Sequence, residues 1–239
     1  MFDPKPACRA LFGAWWTASA SSLAIAAHHF RPEPELIGWS TARWAEVLTR
    51  VWGVQVRTHG RDGIQSLGAA VYAANHQSFV DIAALYRALP VYPGFVAKEE
   101  LARVPFLGPL MRRGDHIFIA RTQRDKAARA LVQAARRIRA GRSVVIFPEG
   151  TRSAAGTLGP YKEGAFRLAK QAKVPLVPVG IVGSAAVLPR GDWRVQRGDI
   201  DVHIGAPIPA STVKAASPAE LAAMLRERTL ALTGFVNAA

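Results

Sequence analysis

From about residue 55 onward, short runs of β-branched and aromatic residues alternate with stretches whose apolar positions recur every three to four residues. The runs at 55–58, 70–74, 94–97, 117–120, 144–147, 176–182 and 200–204 read as strands. The stretches at 79–89, 124–140, 163–172 and 218–232 read as helices. Strands interleaved with helices predict an α/β domain, built on a mixed, largely parallel sheet flanked by helices. Gly- and Pro-rich stretches such as 156–160 read as loops inside that domain rather than as boundaries.

The first 57 residues follow a different pattern. Residues 10–30 contain no Asp, Glu, Lys or Arg, a length sufficient to cross a bilayer, although Gly13, Thr17, Ser19, Ser21 and Ser22 make it a weak spanning segment. After Pro32 and Pro34, the residues Trp44, Val47, Leu48, Val51 and Trp52 repeat at helical spacing, with Arg43, Glu46, Thr49 and Arg50 between them. Five of the six tryptophans fall in this region. The chain is therefore divided into residues 1–57, a two-helix membrane-associating hairpin whose Trp rings and arginines suit a headgroup layer, and residues 58–239, the α/β domain. Two other readings stand beside it. One is an ordinary helix pair covering a sheet. The other is a cleaved leader, suggested by Arg9 and the small residues at 24–26 but opposed by the second Trp-rich helix, which cleavage would strand without a partner.

Composition narrows the chemistry. Among 239 residues, 31 are Lys or Arg and 17 are Asp or Glu, a formal charge of +14, so the surface seeks anions. The one cysteine, Cys8, excludes an internal disulfide and any zinc site needing two thiolates. Nucleic acid is disfavoured as the anion, because the basic residues are spread along the chain without aromatic interleaving. There is no P-loop and no Gly-x-Gly-x-x-Gly stretch.

Two strand exits carry candidate chemistry. In Asn75-His76-Gln77-Ser78-Phe79-Val80-Asp81, Ser78 and Asp81 stand at a capping-box spacing. On a continuous helix, residues five apart point about 140° away from each other, so His76 and Asp81 meet only if the helix begins between them. A break at Ser78 leaves two alternatives open: a capped helix beside an incidental histidine, or a dyad in which the carboxylate fixes the imidazole tautomer and frees its other nitrogen as a base. In Phe147-Pro148-Glu149-Gly150-Thr151-Arg152-Ser153, Arg152 offers a planar fork for phosphate, Gly150 allows close approach, and Glu149 can orient the arginine or a substrate hydroxyl. The alternative is a tight loop with a surface Glu-Arg pair. Arg121 at the end of the 117–120 run, and Lys162 ahead of the 163–172 helix, would add charge if the fold gathers them. The arginines at 129, 136, 137, 139 and 142 mark a solvated or headgroup-facing helix face.

Together these two stretches resemble the glycerolipid acyltransferase family, over roughly residues 55–210 and including Ile117-Phe118-Ile119-Ala120-Arg121, Val96-Ala97-Lys98-Glu99-Glu100-Leu101 and Val174-Pro175-Leu176-Val177-Pro178-Val179. The resemblance implies His76 as general base, Asp81 as its orienting partner, and Arg121, Glu149, Gly150, Thr151 and Arg152 in an acceptor-phosphate site, with Lys98 and Lys162 adding charge. It implies acyl transfer from acyl-CoA or acyl carrier protein, as co-substrate, to the sn-2 hydroxyl of 1-acylglycerol-3-phosphate (lysophosphatidate), giving phosphatidate without a cofactor or metal. It also implies contact with membrane lipids at the inner (cytoplasmic) membrane, with the α/β catalytic domain facing the cytoplasm. Ala120 departs from the acidic or amide residue often found before the arginine in that block, which leaves another lyso-lipid acceptor, such as lyso-ornithine lipid, as an alternative. A non-catalytic binder of anionic membranes is the alternative of a different class. A hydrolase using Ser78 is disfavoured by the serine's capping position and the absence of Gly-x-Ser-x-Gly.

Overall fold

The computed structural model describes residues 6–31, 33–120 and 124–238. Helices α1 (Pro6–Phe30) and α2 (Pro34–Trp52) form a hairpin, and the helix ends where Gly53 adopts a left-handed conformation and caps the carbonyls of Thr49 and Arg50. Then follow β1 (Val54–His59), β2 (Val71–Ala74), α3 (Val80–Ala88), β3 (Gly94–Lys98), α4 (Leu107–Arg113), β4 (Ile117–Ile119), α5 (Arg124–Arg139) and β5 (Val144–Ile146). The remainder comprises β6 (Thr157–Leu158), α6 (Glu163–Ala172), β7 (Leu176–Val182), α7 (Ser184–Val187), β8 (Gly198–Ile204), α8 (Ala210–Ala215), α9 (Pro218–Thr233) and β9 (Val236–Asn237).

All seven expected strands join one sheet, in the order β1-β8-β7-β2-β5-β3-β4. Every pairing is parallel except β7 with β8, so β8 and β1 run opposite to the other five. β2 lies at the centre with β5 and β7 on its two sides, in the registers Ala73↔Ile146 and Ala74↔Val179. The carboxyl ends of β2, β5 and β7 therefore open side by side on one edge, where open α/β sheets place ligand sites.

Helices cover both faces, which is why β2 and β5 are buried at every position. Side chains alternate between two cores. Tyr72, Ala74 and Val145 point into one core with α2 and α3, whereas Val71, Ala73, Val144 and Ile146 point into the other with α5, α6 and α9.

The amino-terminal hairpin shares the first of these cores through Ala45, Leu48 and Trp52. The boundary drawn between residues 57 and 58 falls inside β1, because the helical part stops at Trp52. The Trp rings also divide their duties. Trp52 Nε1 donates to the Arg9 carbonyl at 2.8 Å, Trp16 Nε1 to the Trp44 carbonyl at 3.1 Å, and Trp44 Nε1 to Thr17 Oγ at 3.0 Å. These three pin α1 to α2 rather than facing outward. A β-carbon at position 13 would come within 2.5 Å of the Trp52 ring, so Gly13 permits the close approach. Arg9 is buried, its Nη1 donating to the Val195 carbonyl at 3.2 Å. Leu11, Trp15, Leu23, Phe30 and Trp39 remain exposed, and α1 is long and apolar enough to cross a membrane by length and composition.

Further differences from the sequence pattern lie in short elements. Residues 156–160 contain β6, which pairs with β9, and α4, α7 and α8 carry no periodic signal at four to seven residues each. The helix expected over 79–89 runs from Val80 to Ala88.

Between α4 and β4, His116 Nδ1 accepts the Phe95 N–H at 3.1 Å, so its proton sits on Nε2, 3.4 Å from the Tyr86 hydroxyl oxygen. Burial holds its pKa down from 6.5 to about 4. The folded state therefore disfavours the charged ring, and this contribution to stability is complete above the unfolded value and lost as pH falls toward the folded one. Replacing His116 with Gln is expected to flatten the fall in melting temperature that the native chain shows between pH 6.5 and about 4.

Candidate active site

The chain breaks between β2 and α3, as a His76–Asp81 meeting requires. His76 Nδ1 lies 2.8 Å from Asp81 Oδ2. The same oxygen accepts the backbone N–H groups of Gln77 and Ser78, both at 2.9 Å. Asp81 is fully buried, and His76 keeps a side-chain exposure of 15%. The carboxylate accepts a hydrogen bond from Nδ1–H, which leaves Nε2 as the open nitrogen. Phe147, at the end of β5, stacks on the imidazole with ring centroids 4.0 Å apart and planes 17° apart, so the ring cannot swing away from the carboxylate.

The capping box is only half formed. Asp81 accepts the Ser78 N–H, but the Ser78 hydroxyl donates to the Leu188 carbonyl at 2.8 Å and accepts from the Val80 N–H at 3.3 Å rather than from Asp81. Leu188 follows β7, so the serine ties the helix start to the neighbouring loop instead of closing the helix upon itself.

Glu149 takes a different part from the one its motif suggests. It is buried, with Oε1 accepting the His76 N–H at 2.9 Å and Oε2 accepting the Gly159 N–H at 2.8 Å. Burial raises its pKa, and the amides of His76 and Gly159 pull the other way. Both of its oxygens turn inward onto backbone donors rather than toward an arginine. Its placement is a strut beneath His76. From the same loop, Ser153 donates N–H and hydroxyl to the His76 carbonyl at 2.8 and 3.2 Å, so the two motifs are sewn together through the histidine's own backbone.

The cations stand above this strut. Arg152 lies over the Phe79 ring, 4.0 Å from its centroid. Its pKa is lowered, first by burial and then by the neighbouring Arg190, against an opposing pull from Asp81. Gly150 is left-handed, and Lys162 Nζ would stand 3.0 Å from a β-carbon placed there, so the ammonium caps the turn that presents Thr151 and Arg152. Thr151 is exposed. Lys98 ends β3 on the same sheet edge but two strands out from β2, exposed to solvent. Arg121 lies outside the described residues.

A family model described as Acyltransferase matches residues 55–182. The chain belongs to the acyltransferase family. Among its relatives, a 1-acyl-sn-glycerol-3-phosphate acyltransferase of Saccharomyces cerevisiae is 32% identical over 197 residues, 81% of this chain and 65% of that one. A chloroplastic 1-acyl-sn-glycerol-3-phosphate acyltransferase of Brassica napus is 36% identical over 139 residues, 58% of this chain and 40% of the other. The chain thus spans less than two thirds of these relatives' length. The fold matches the crystal structure of the 1-acyl-sn-glycerophosphate acyltransferase PlsC from Thermotoga maritima, with a TM-score of 0.78, 24% identity and 94% coverage of both chains.

Within this family fold, three participants escaped sequence reasoning. Asn75 exchanges two bonds with Ile181, 2.9 Å from its amide to the carbonyl and 2.7 Å from the Ile181 N–H to its oxygen, and so locks the end of β2 to β7. Phe147 reads in sequence as the last residue of an apolar strand. Arg190 sits in the loop after α7, and its Nη1 donates to the Arg152 carbonyl at 2.9 Å. The only sequence signal for Arg190 is its place after a strand running the same way as β2.

Glu149→Gln tests the strut. The substituted amide would turn an N–H₂ toward one of two buried N–H groups, and one unsatisfied donor costs about 1–3 kcal/mol. We expect that loss in denaturant unfolding, together with a fall in turnover, although residue 149 touches no reacting atom.

Proposed function

We propose that the chain transfers a fatty acyl group from an acyl thioester, acyl-CoA or acyl carrier protein, to the free sn-2 hydroxyl of 1-acylglycerol-3-phosphate, giving phosphatidate. The observation that carries this reading is the 2.8 Å His76–Asp81 bond on the same sheet edge as the Arg152 guanidinium, in a chain whose relatives bear that activity in their names.

His76 Nε2 removes the proton from the glycerol hydroxyl as its oxygen attacks the thioester carbonyl. Asp81 holds the tautomer and stabilises the imidazolium that forms. The tetrahedral intermediate collapses, its C–S bond breaks, and the imidazolium returns the proton to the departing thiolate. The ester and the free thiol are the products, and no acyl-enzyme forms. The N–H groups of Gln77 and Ser78 are held by Asp81, and that of Gly150 by the Phe147 carbonyl at 3.0 Å. The Phe79 N–H at the start of α3 serves as a donor for the oxyanion, at the positive end of the helix. Arg152, Thr151 and Lys162, with Lys98 at the rim, bind the acceptor phosphate, and Arg121 is assigned to the same role.

The amino-terminal hairpin seats the catalytic domain on the cytoplasmic face of the inner membrane. The exposed Leu11, Trp15, Leu23, Phe30 and Trp39 are the groups that would enter lipid. Phe79, exposed beside His76, extends an apolar surface to the site itself, as an acyl chain requires.

His76→Ala is expected to lower kcat by about 10²–10⁴-fold, measured as thiol release from acyl-CoA with lysophosphatidate in vesicles, while liposome binding stays unchanged. Turnover retained in His76→Ala removes the mechanism, and liposome binding with no turnover in the native chain leaves a non-catalytic membrane binder.

A further inference from the structure

Arg190 is absent from both motifs, yet the fold carries it to the catalytic edge. β7 runs parallel to β2 and beside it, so the chain leaving β7 rises next to His76. The segment after α7 is fastened at several points. The Ser78 hydroxyl holds the Leu188 carbonyl at 2.8 Å, the Gln196 N–H reaches the Val187 carbonyl at 2.8 Å, and Arg9 holds the Val195 carbonyl at 3.2 Å. The turn between these anchors uses Gly191 at a φ of 85°.

Arg190 spends one Nη1 proton on the Arg152 carbonyl at 2.9 Å, and the two guanidinium groups are close enough for their repulsion to lower the Arg152 pKa. Among the described residues no carboxylate lies within ion-pair distance of either arginine. Asp192, the acid of the Arg190 loop, is engaged by Arg194, with contacts of 3.0, 3.2 and 2.9 Å, and by the N–H groups of Trp193 and Arg194. Asp81 is taken up by His76 and two backbone amides, and Glu149 by two more. Two guanidinium groups on anchored loops, with no carboxylate of the described residues in ion-pair distance and only the longer-range pull of Asp81 on Arg152, leave a positive site that an anion with several acceptor oxygens fills.

We propose that Arg190 is a further guanidinium of the acceptor site and that, with Arg152, it selects a phosphate monoester over a phosphodiester or an uncharged headgroup. The proposal rests on the transferase reading above and adds to it the source of headgroup selectivity. A monoester carries a charge of about −1.5 to −2 near neutral pH and three free oxygens, enough to engage both forks. A diester carries one negative charge and fewer free oxygens, and it satisfies only one fork well.

The test compares the native chain with R190Q and R190K in phosphatidylcholine vesicles, using acyl-CoA with either 1-acylglycerol-3-phosphate or lysophosphatidylglycerol as acceptor. R190Q is expected to raise KM for the monoester by about tenfold or more with kcat little changed, and to narrow the monoester-to-diester ratio of kcat/KM by a similar factor. R190K should recover part of both. An unchanged ratio overturns the proposal, and so does an equal loss on both acceptors, which is what a purely structural role for the Arg152 carbonyl contact would give. If the native chain acylates neither acceptor, the transferase reading itself fails. Calorimetric binding of inorganic phosphate then decides the arginine pair separately: binding weakened about tenfold in R190Q supports it, and equal or absent binding in the native chain overturns it.

Discussion

The arrangement of the site depends on one buried oxygen. Asp81 Oδ2 accepts from the His76 ring and from the Gln77 and Ser78 amides, and so it fixes the imidazole, the strand exit and the helix start together. Burying a carboxylate costs several kcal/mol. Hydrogen bonds to a charged acceptor return about 1.5–3 kcal/mol each, and three of them at the positive end of a helix are of the size needed to offset that cost. With fewer donors, the carboxylate would turn toward water, and the histidine would lose its orientation. Glu149 works in the same way from the opposite side, holding the backbone of His76 where Asp81 holds its ring.

Around that anchor, strand order does the gathering. Three parallel neighbours, β5, β2 and β7, release their chains at one edge, and each contributes something the others lack. β2 supplies the base, β5 the strut and one guanidinium, and the chain beyond β7 a second guanidinium and the carbonyl that receives Ser78. The antiparallel β8 breaks this pattern immediately after β7, which leaves β8 and β1 with their carboxyl ends on the far edge. The concentration of positive charge at the site is thus a property of topology, beyond what an excess of arginine in the composition provides.

The amino-terminal hairpin is bound into the same framework. Trp52, Trp44 and Trp16 spend their indole N–H groups on α1 and α2, and Arg9 reaches the loop that also carries Arg190. The exposed apolar face of α1 is therefore held at a set position relative to the catalytic edge, because both are fastened to the segment between α7 and β8. Trp15 and Trp39 are the rings that remain outward, consistent with a division between rings that build the hairpin and rings available to lipid.

The central strands β2, β5 and β7 were legible because burial on both faces demands unbroken apolar runs, and the His76–Asp81 meeting was legible because a helix break and a capping spacing are local, within six consecutive residues. Naming a motif residue did not supply its partners. Glu149 reads as a ligand next to an arginine, and only the packing of β5 beside β2 turns it toward an amide 73 residues away. Ser78 reads as a self-contained cap, and only the return of β7 offers it a carbonyl at a separation of 110 residues. Arg190 carries no motif, and its tie to Arg152 exists because two loops 38 residues apart leave the parallel strands on either side of β2. Periodicity and short spacing report what a chain does within a turn or two of itself. Which buried polar group finds which partner depends on strand order, since every such group must be satisfied by whatever the sheet brings alongside it.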